Sequence, residues 1–247
     1  MRNGLASVLV FDRNNNRLGE GHSVRGLHDT GHRNQEGTMS NPSRLSHAVL
    51  RSYDVKRLMD WYVEVTEGHV IFEGFGMSFM TYDDEHHRLG IVPIQGEEKR
   101  NDPANPGLVH LAFAWPSLPD LVETYARLRD KKIYPRLTID HGLTFSFYYR
   151  DPDENTVELV TDLLSPAEAT ALMYSPSYQG NPVGLLLDPE DVLAGVREGR
   201  ITPEGLTADF KATEVDVASQ LAECGTLQSM DAAEHAKKFE AQLATHH

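Results

Sequence analysis

The chain has 247 residues, of which 40% are hydrophobic and 24% charged, a composition that suits one sizeable globular domain or two small ones. Its 23 Lys and Arg against 37 Asp and Glu leave a net charge of −14, which opposes nucleic-acid backbones and anionic membrane surfaces as partners. The only cysteine, Cys224, excludes an intrachain disulfide framework; with no apolar run near the ~20 residues of a membrane helix and no secretory leader, the expected location is the cytoplasm.

Residues 1–42 open on a short apolar patch, Ala6 to Phe11, and then run through Asn, Gly, Arg, His and Ser without a sustained period. The expectation is a disordered N-terminal arm. Met39 begins Met-Ser-Asn-Pro-Ser, which reads like an ordinary start, so the first 38 residues are a candidate over-extension of the gene start.

From Arg44 onward short strand-like runs alternate with segments of helical period. The first half gives a strand near 44–51 and an amphipathic helix from Asp54 to Thr66, with Val55, Leu58, Met59 and Tyr62 on one face. Strands near 69–74, 77–82 and 87–94 follow. After a loop rich in Pro, Gly and Asn (95–107), the second half repeats the order: a strand at 108–115, a helix from Ser117 to about Lys131, and strands near 133–138, 143–150 and 155–161. Each half is a βαβββ unit that cannot bury both of its faces alone. The predicted fold class is therefore α+β, with residues 43–163 forming two βαβββ modules packed into one cupped mixed sheet. Residues 164–247 read as a helical C-terminal extension, with helices at Ser165–Met173, from Asp188 to Val196 and at Ala232–Ala244. That extension carries no obvious chemistry and is expected to pack on the sheet or on a neighbouring subunit.

Twelve histidines call for a positional test, and strand alternation supplies it. On the 108–115 strand, Val109, Leu111, Phe113 and Trp115 fall on the helix side, leaving His110 in the cup with Ala112 and Ala114. On the 155–161 strand, Val157 and Leu159 face the helices while Thr156, Glu158 and Val160 face the cup. Burying an unpaired carboxylate costs several kcal/mol or more, so Glu158 calls for a metal or a cation. His47 stands in the first half where His110 stands in the second. Two histidines and a carboxylate make the facial triad of non-haem Fe(II) oxygen chemistry, which leaves three adjacent coordination positions open. Thr144, Ser146 and Tyr148 share a polar face opposite Phe145, Phe147 and Tyr149, and His87 alternates with Leu89 and Ile91 on the inferred cup face, opposite His86 and Arg88.

The segment His141-Gly-Leu-Thr-Phe-Ser-Phe-Tyr-Tyr-Arg-Asp-Pro-Asp-Glu-Asn-Thr-Val-Glu158, together with His86-His87-Arg88-Leu89-Gly90-Ile91 and, weakly, Asn181-Pro182-Val183-Gly184, resembles the vicinal oxygen chelate superfamily. Within it the resemblance is to one-domain type I extradiol dioxygenases, which cleave catechols and 2,3-dihydroxybiphenyls. It implies the glyoxalase/bleomycin resistance/dioxygenase fold, His47, His110 and Glu158 as ligands of Fe(II), with Mn(II) as the alternative, and His87, His141 and Tyr148 acting around the metal. It also implies a catecholic substrate with O2, a muconic semialdehyde type product, and a homo-oligomer. The family usually has Gly in the turn after Asp-Pro where this chain has Glu154, and Asn155 is expected to supply any positive φ there.

Two rivals remain. A glyoxalase-like isomerase or lyase on the same fold would use a second carboxylate at the end of the first half, where this chain offers Leu89, Ile91, Ile94 and Gln95. A non-catalytic binding protein would have little use for the triad plus His87 and Tyr148. Phe79, Phe113, Phe145, Trp115 and the C-terminal extension are the candidates for shaping the pocket.

Overall fold

The computed structural model describes residues 41–96 and 106–245; the expected disordered arm falls outside them apart from residues 41 and 42. Residues 46–247 form one compact unit. In the other unit, residues 1–45, the described residues 41–45 carry no helix or strand.

Both modules are built by the same local rules. In the first, β1 (Ala48–Ser52) leads into α1 (Val55–Thr66), which begins because the Asp54 side chain accepts from the Arg57 backbone N–H at 3.0 Å and ends where Glu67 turns left-handed, φ 53°. Leu58, Met59, Tyr62 and Val65 recur at helical spacing and are buried. β2 (His69–Gly74), β3 (Met77–Thr81) and β4 (Leu89–Pro93) complete it, with β1 parallel to β4 and the sheet order β1-β4-β3-β2. The second module repeats this with β5 (His110–Ala114), α2 (Leu118–Asp130, capped by Ser117), β6 (Leu137–Asp140), β7 (Thr144–Arg150) and β8 (Thr156–Asp162), in the order β5-β8-β7-β6 with β5 parallel to β8. The α+β class and the two βαβββ modules are those expected from the sequence. The strands, however, are hydrogen-bonded as two mixed sheets, one per module, where a single cupped sheet was expected.

The modules meet through their helices and one turn. Arg127 of α2 donates to the Glu64 carboxylate and to the Glu64 and Val65 carbonyls at the end of α1, and the Tyr62 hydroxyl donates to Asp151 at 3.0 Å. Asp151 opens the β7–β8 turn, in which Glu154 itself takes the left-handed conformation at φ 66°. The expectation that Asn155 would do so is corrected: Asn155 instead donates through its backbone and side-chain nitrogens to Asp151, at 2.8 Å each, which fixes it as the residue leaving the turn.

The extension consists of α3 (Pro166–Met173), α4 (Pro176–Gly180), β9 (Leu185–Leu186), α5 (Pro189–Arg197), α6 (Pro203–Ala212), α7 (Val217–Ser229) and α8 (Ala232–Leu243). β9 adds a fifth strand beside β6. α5 is tied to α2 by Glu190, which accepts from the Tyr125 hydroxyl and from Arg129 at 2.7 Å. α6 clamps the β6–β7 turn: Thr207 donates to the Gly142 carbonyl at 2.8 Å, and a Cβ on Gly142, φ 76°, would strike the Phe210 ring. No helix among the described residues is long and apolar enough to cross a membrane.

Candidate metal and substrate site

Alternation on β7 places Phe145, Phe147 and Tyr149 in the core and turns Ser146 and Tyr148 to the opposite face. On β8 the same rule buries Val157 and Leu159 against the helices and turns Glu158 toward Tyr148, its cross-strand partner. Glu158 is 7% exposed, and three groups meet its carboxylate. Its Oε1 accepts from Ser146 Oγ and from the Tyr148 hydroxyl, each at 2.7 Å, while its Oε2 lies 3.0 Å from His110 Nε2. Such donors offset the cost of burying the carboxylate.

His141, at the start of the clamped turn, places Nε2 at 3.0 Å from the Tyr148 oxygen. Tyr148 has one hydroxyl hydrogen, and the carboxylate at 2.7 Å competes for it. Which of the two donates in the His141–Tyr148 contact follows the imidazole tautomer, and the ring also faces the Val183 carbonyl, which can only accept. Burial holds the His141 imidazole below its ordinary pKa, so the ring is neutral at pH 7; the Val183 carbonyl beside it favours taking up a second proton. The Tyr148 phenol is pushed well above its usual range, first by burial and then by Glu158, and stays protonated. The structure thus brings His110, Glu158, Tyr148 and His141 together, with Ser146 added.

His47 and His87 form a separate group. Their rings lie 4.3 Å apart, His87 stacks on Phe79 at 5.2 Å, and the Nδ1 atoms of His86 and His87 are 2.5 Å apart. Burial, then His47 and His86, lower the His87 pKa. The strand parity used for His87 fails, because β4 starts only at Leu89, and Leu89 and Ile91 are buried in the helix-side core. His87 reaches the Phe79 side through the bend at 82–88 that precedes the strand. Among the described residues no three His, Cys, Asp or Glu side chains converge closely enough to hold a metal ion. The donor set of His110 and Glu158, an imidazole nitrogen and a carboxylate oxygen side by side, does fit a divalent first-row metal.

His110 and Tyr148 line one part of a cavity of about 580 Å³, within the range of small-molecule sites. One wall is aliphatic, with Leu137, Ile139 and Val183; the other is α7 of the extension, with Cys224, Gly225, Gln228 and Ser229. Arg150 donates to Gln228 at 2.8 Å and Gln220 to the Gly184 carbonyl, fastening α7 over the sheet. Of the aromatic residues expected to shape the pocket, none lines this cavity: Phe145 is fully buried in the core and Phe113 and Trp115 pack against it. The extension, the other candidate for shaping the pocket, supplies a wall of it through α7.

The Glyoxalase/Bleomycin resistance protein/Dioxygenase superfamily matches residues 44–159, the two modules just described. The chain is 40% identical over 169 residues to biphenyl-2,3-diol 1,2-dioxygenase 2 of Rhodococcus globerulus, covering 66% of this chain and 89% of that protein. It is 41% identical over 189 residues to biphenyl-2,3-diol 1,2-dioxygenase 3 of the same organism, covering 74% and 98%. Among solved structures, lactoylglutathione lyase from Agrobacterium tumefaciens is 22% identical with a TM-score of 0.41, over 49% of this chain and 96% of that one. The chain belongs to the glyoxalase/bleomycin resistance/dioxygenase superfamily, and within it to the extradiol ring-cleavage dioxygenases.

Proposed function

We propose that the chain uses O2 and Fe(II), with Mn(II) as the alternative metal, to cleave catechols that carry an apolar ring substituent, 2,3-dihydroxybiphenyl among them. His110, Glu158 and His47 would hold the metal. The observation that carries the reading is the line of contacts from His141 through Tyr148 and Glu158 to His110 beside a largely aliphatic cavity. His47 is assigned because it immediately precedes β1, the strand equivalent in topology to β5, which begins with His110. The two relatives are both biphenyl-2,3-diol dioxygenases by name, which supports an aryl-substituted diol.

When bound, the metal supplies Lewis acidity that ionises a catechol hydroxyl near neutral pH and leaves positions for both substrate and O2. The protein's part is orientation and proton management. Tyr148 remains a phenol and hydrogen-bonds a substrate oxygen. His141, with Nε2 on the Tyr148 oxygen, orients that phenol from the side opposite Glu158. Ser146 holds Glu158 in place. His87, beside His47, holds or donates a proton on that side of the site. Protein purified without air and supplied with Fe(II) or Mn(II) should consume O2 mole for mole with 2,3-dihydroxybiphenyl and yield a ring-opened semialdehyde. Undiminished O2 uptake after metal removal, or none with any catechol, contradicts the reading.

A further inference from the structure

We propose that Gly225 of α7 sets the upper size limit of the ring substituent the enzyme accepts, an inference that rests on the aryl-catechol reading above. Cys224, Gly225, Gln228 and Ser229 line the cavity, and at ~100° per residue they cover one helix face with Gly225 between Gln228 and Ser229. A Cβ built on Gly225 meets no atom within 4 Å, whereas one built on Gly142 would lie 2.3 Å from the Phe210 ring. Gly142 is thus explained by packing, and Gly225 is not. Glycine is a poor helix former, yet it stands in the middle of a helix of 13 residues where nothing in the chain requires the missing side chain. Gly225 is exposed, and the open space beside it adjoins the cavity.

The placement says what that space can take. A catechol whose hydroxyls face His110 and Tyr148 can extend its substituent along the aliphatic surface of Leu137 and Ile139, under α7. α7 is held on both sides of Gly225, by Gln220 on the Gly184 carbonyl and by Gln228 on Arg150, so it is a fixed wall. A side chain at position 225 would project from that wall into the substituent's volume.

The experiment compares wild type, Gly225→Ala and Gly225→Leu as full-length, Fe(II)-loaded enzymes on catechol and 2,3-dihydroxybiphenyl. The expected result is that the ratio of kcat/KM for catechol to that for 2,3-dihydroxybiphenyl rises at least ~10-fold in Gly225→Leu and less in Gly225→Ala, since a methylene of misfit is worth ~10- to 200-fold. Calorimetric titration of the metal-free proteins with 2,3-dihydroxybiphenyl should show the same order of weakening. Both variants should melt no earlier than wild type, because Ala and Leu favour the helix. An unchanged ratio, an equal loss on both substrates, or early melting of Gly225→Ala overturns the inference. A wild type that cleaves neither diol overturns the aryl-catechol reading beneath it instead.

Discussion

His110 and Glu158 touch across a register that sets them two positions apart. β5 and β8 pair His110 with Thr156 and Ala112 with Glu158, yet His110 Nε2 and Glu158 Oε2 lie 3.0 Å apart. The carboxylate can lean toward His110 because its other oxygen is held by Ser146 and Tyr148. Ser146→Ala removes one of those two donors and should weaken metal affinity ~10- to 100-fold, the usual effect of losing a group that orients a ligand, without unfolding the protein. Titration of the metal-free variant with Fe(II) under argon checks this; wild-type affinity would show that Ser146 does not position the ligand.

Tyr148→Phe keeps every proposed ligand and removes the hydroxyl between His141 and Glu158. Metal affinity should fall as in Ser146→Ala, because Tyr148 is the other donor to Glu158 Oε1. At saturating Fe(II), where iron content matches wild type, kcat should fall ~10- to 10⁴-fold, as for the loss of a positioned proton donor. Turnover at the wild-type rate on the best catechol would remove Tyr148 from the mechanism.

The His87→Phe variant can still stack on Phe79 but loses its ring nitrogens. Iron should stay bound and O2 uptake should fall. A variant depleted of iron would move His87 into the ligand set and displace His47 from it.

His235 of α8 is buried, and burial, with Arg136 and Lys238, holds its pKa down to about 4. The unfolded chain binds this proton below the ordinary value near 6.5 and the folded chain does not. The stability from keeping His235 neutral is therefore complete above pH 6.5 and declines as pH falls toward 4. Melting temperatures of wild type and His235→Phe between pH 7 and 4.5 should converge on acidification, through a smaller loss in the variant. Parallel curves would mean that another group sets the acid limb.

The parts of the site that were legible in the sequence are those on regular strands. Alternation on β7 and β8 separates Ser146, Tyr148 and Glu158 from the core residues between them, because both strands run unbroken over 7 residues. The same rule misplaces Leu89 and Ile91, since a bend at 82–88 interrupts the count before β4. Glu154 takes a left-handed conformation that its residue type disfavours. α7 left no signal at all: it buries no residue and shows no apolar stripe, and its tie to β7 joins Arg150 to Gln228, 78 positions away. A wall made by such a helix becomes visible only when the chain is folded.

The proposed site requires that Glu158 hold a metal rather than serve as a buried partner of His110 alone. Iron content and melting temperature measured on the same anaerobic preparations of wild type and Glu158→Ala test it most directly. With Glu158 as a ligand, the variant loses nearly all iron and O2 uptake, while its metal-free form melts close to metal-free wild type, because removing a buried carboxylate need not destabilise a fold when the Tyr148 hydroxyl can turn to water in the adjoining cavity. If Glu158 serves only as a structural partner of Ser146, Tyr148 and His110, its removal lowers the melting temperature and leaves iron content unchanged. A variant that melts early yet binds iron as wild type does would contradict the site.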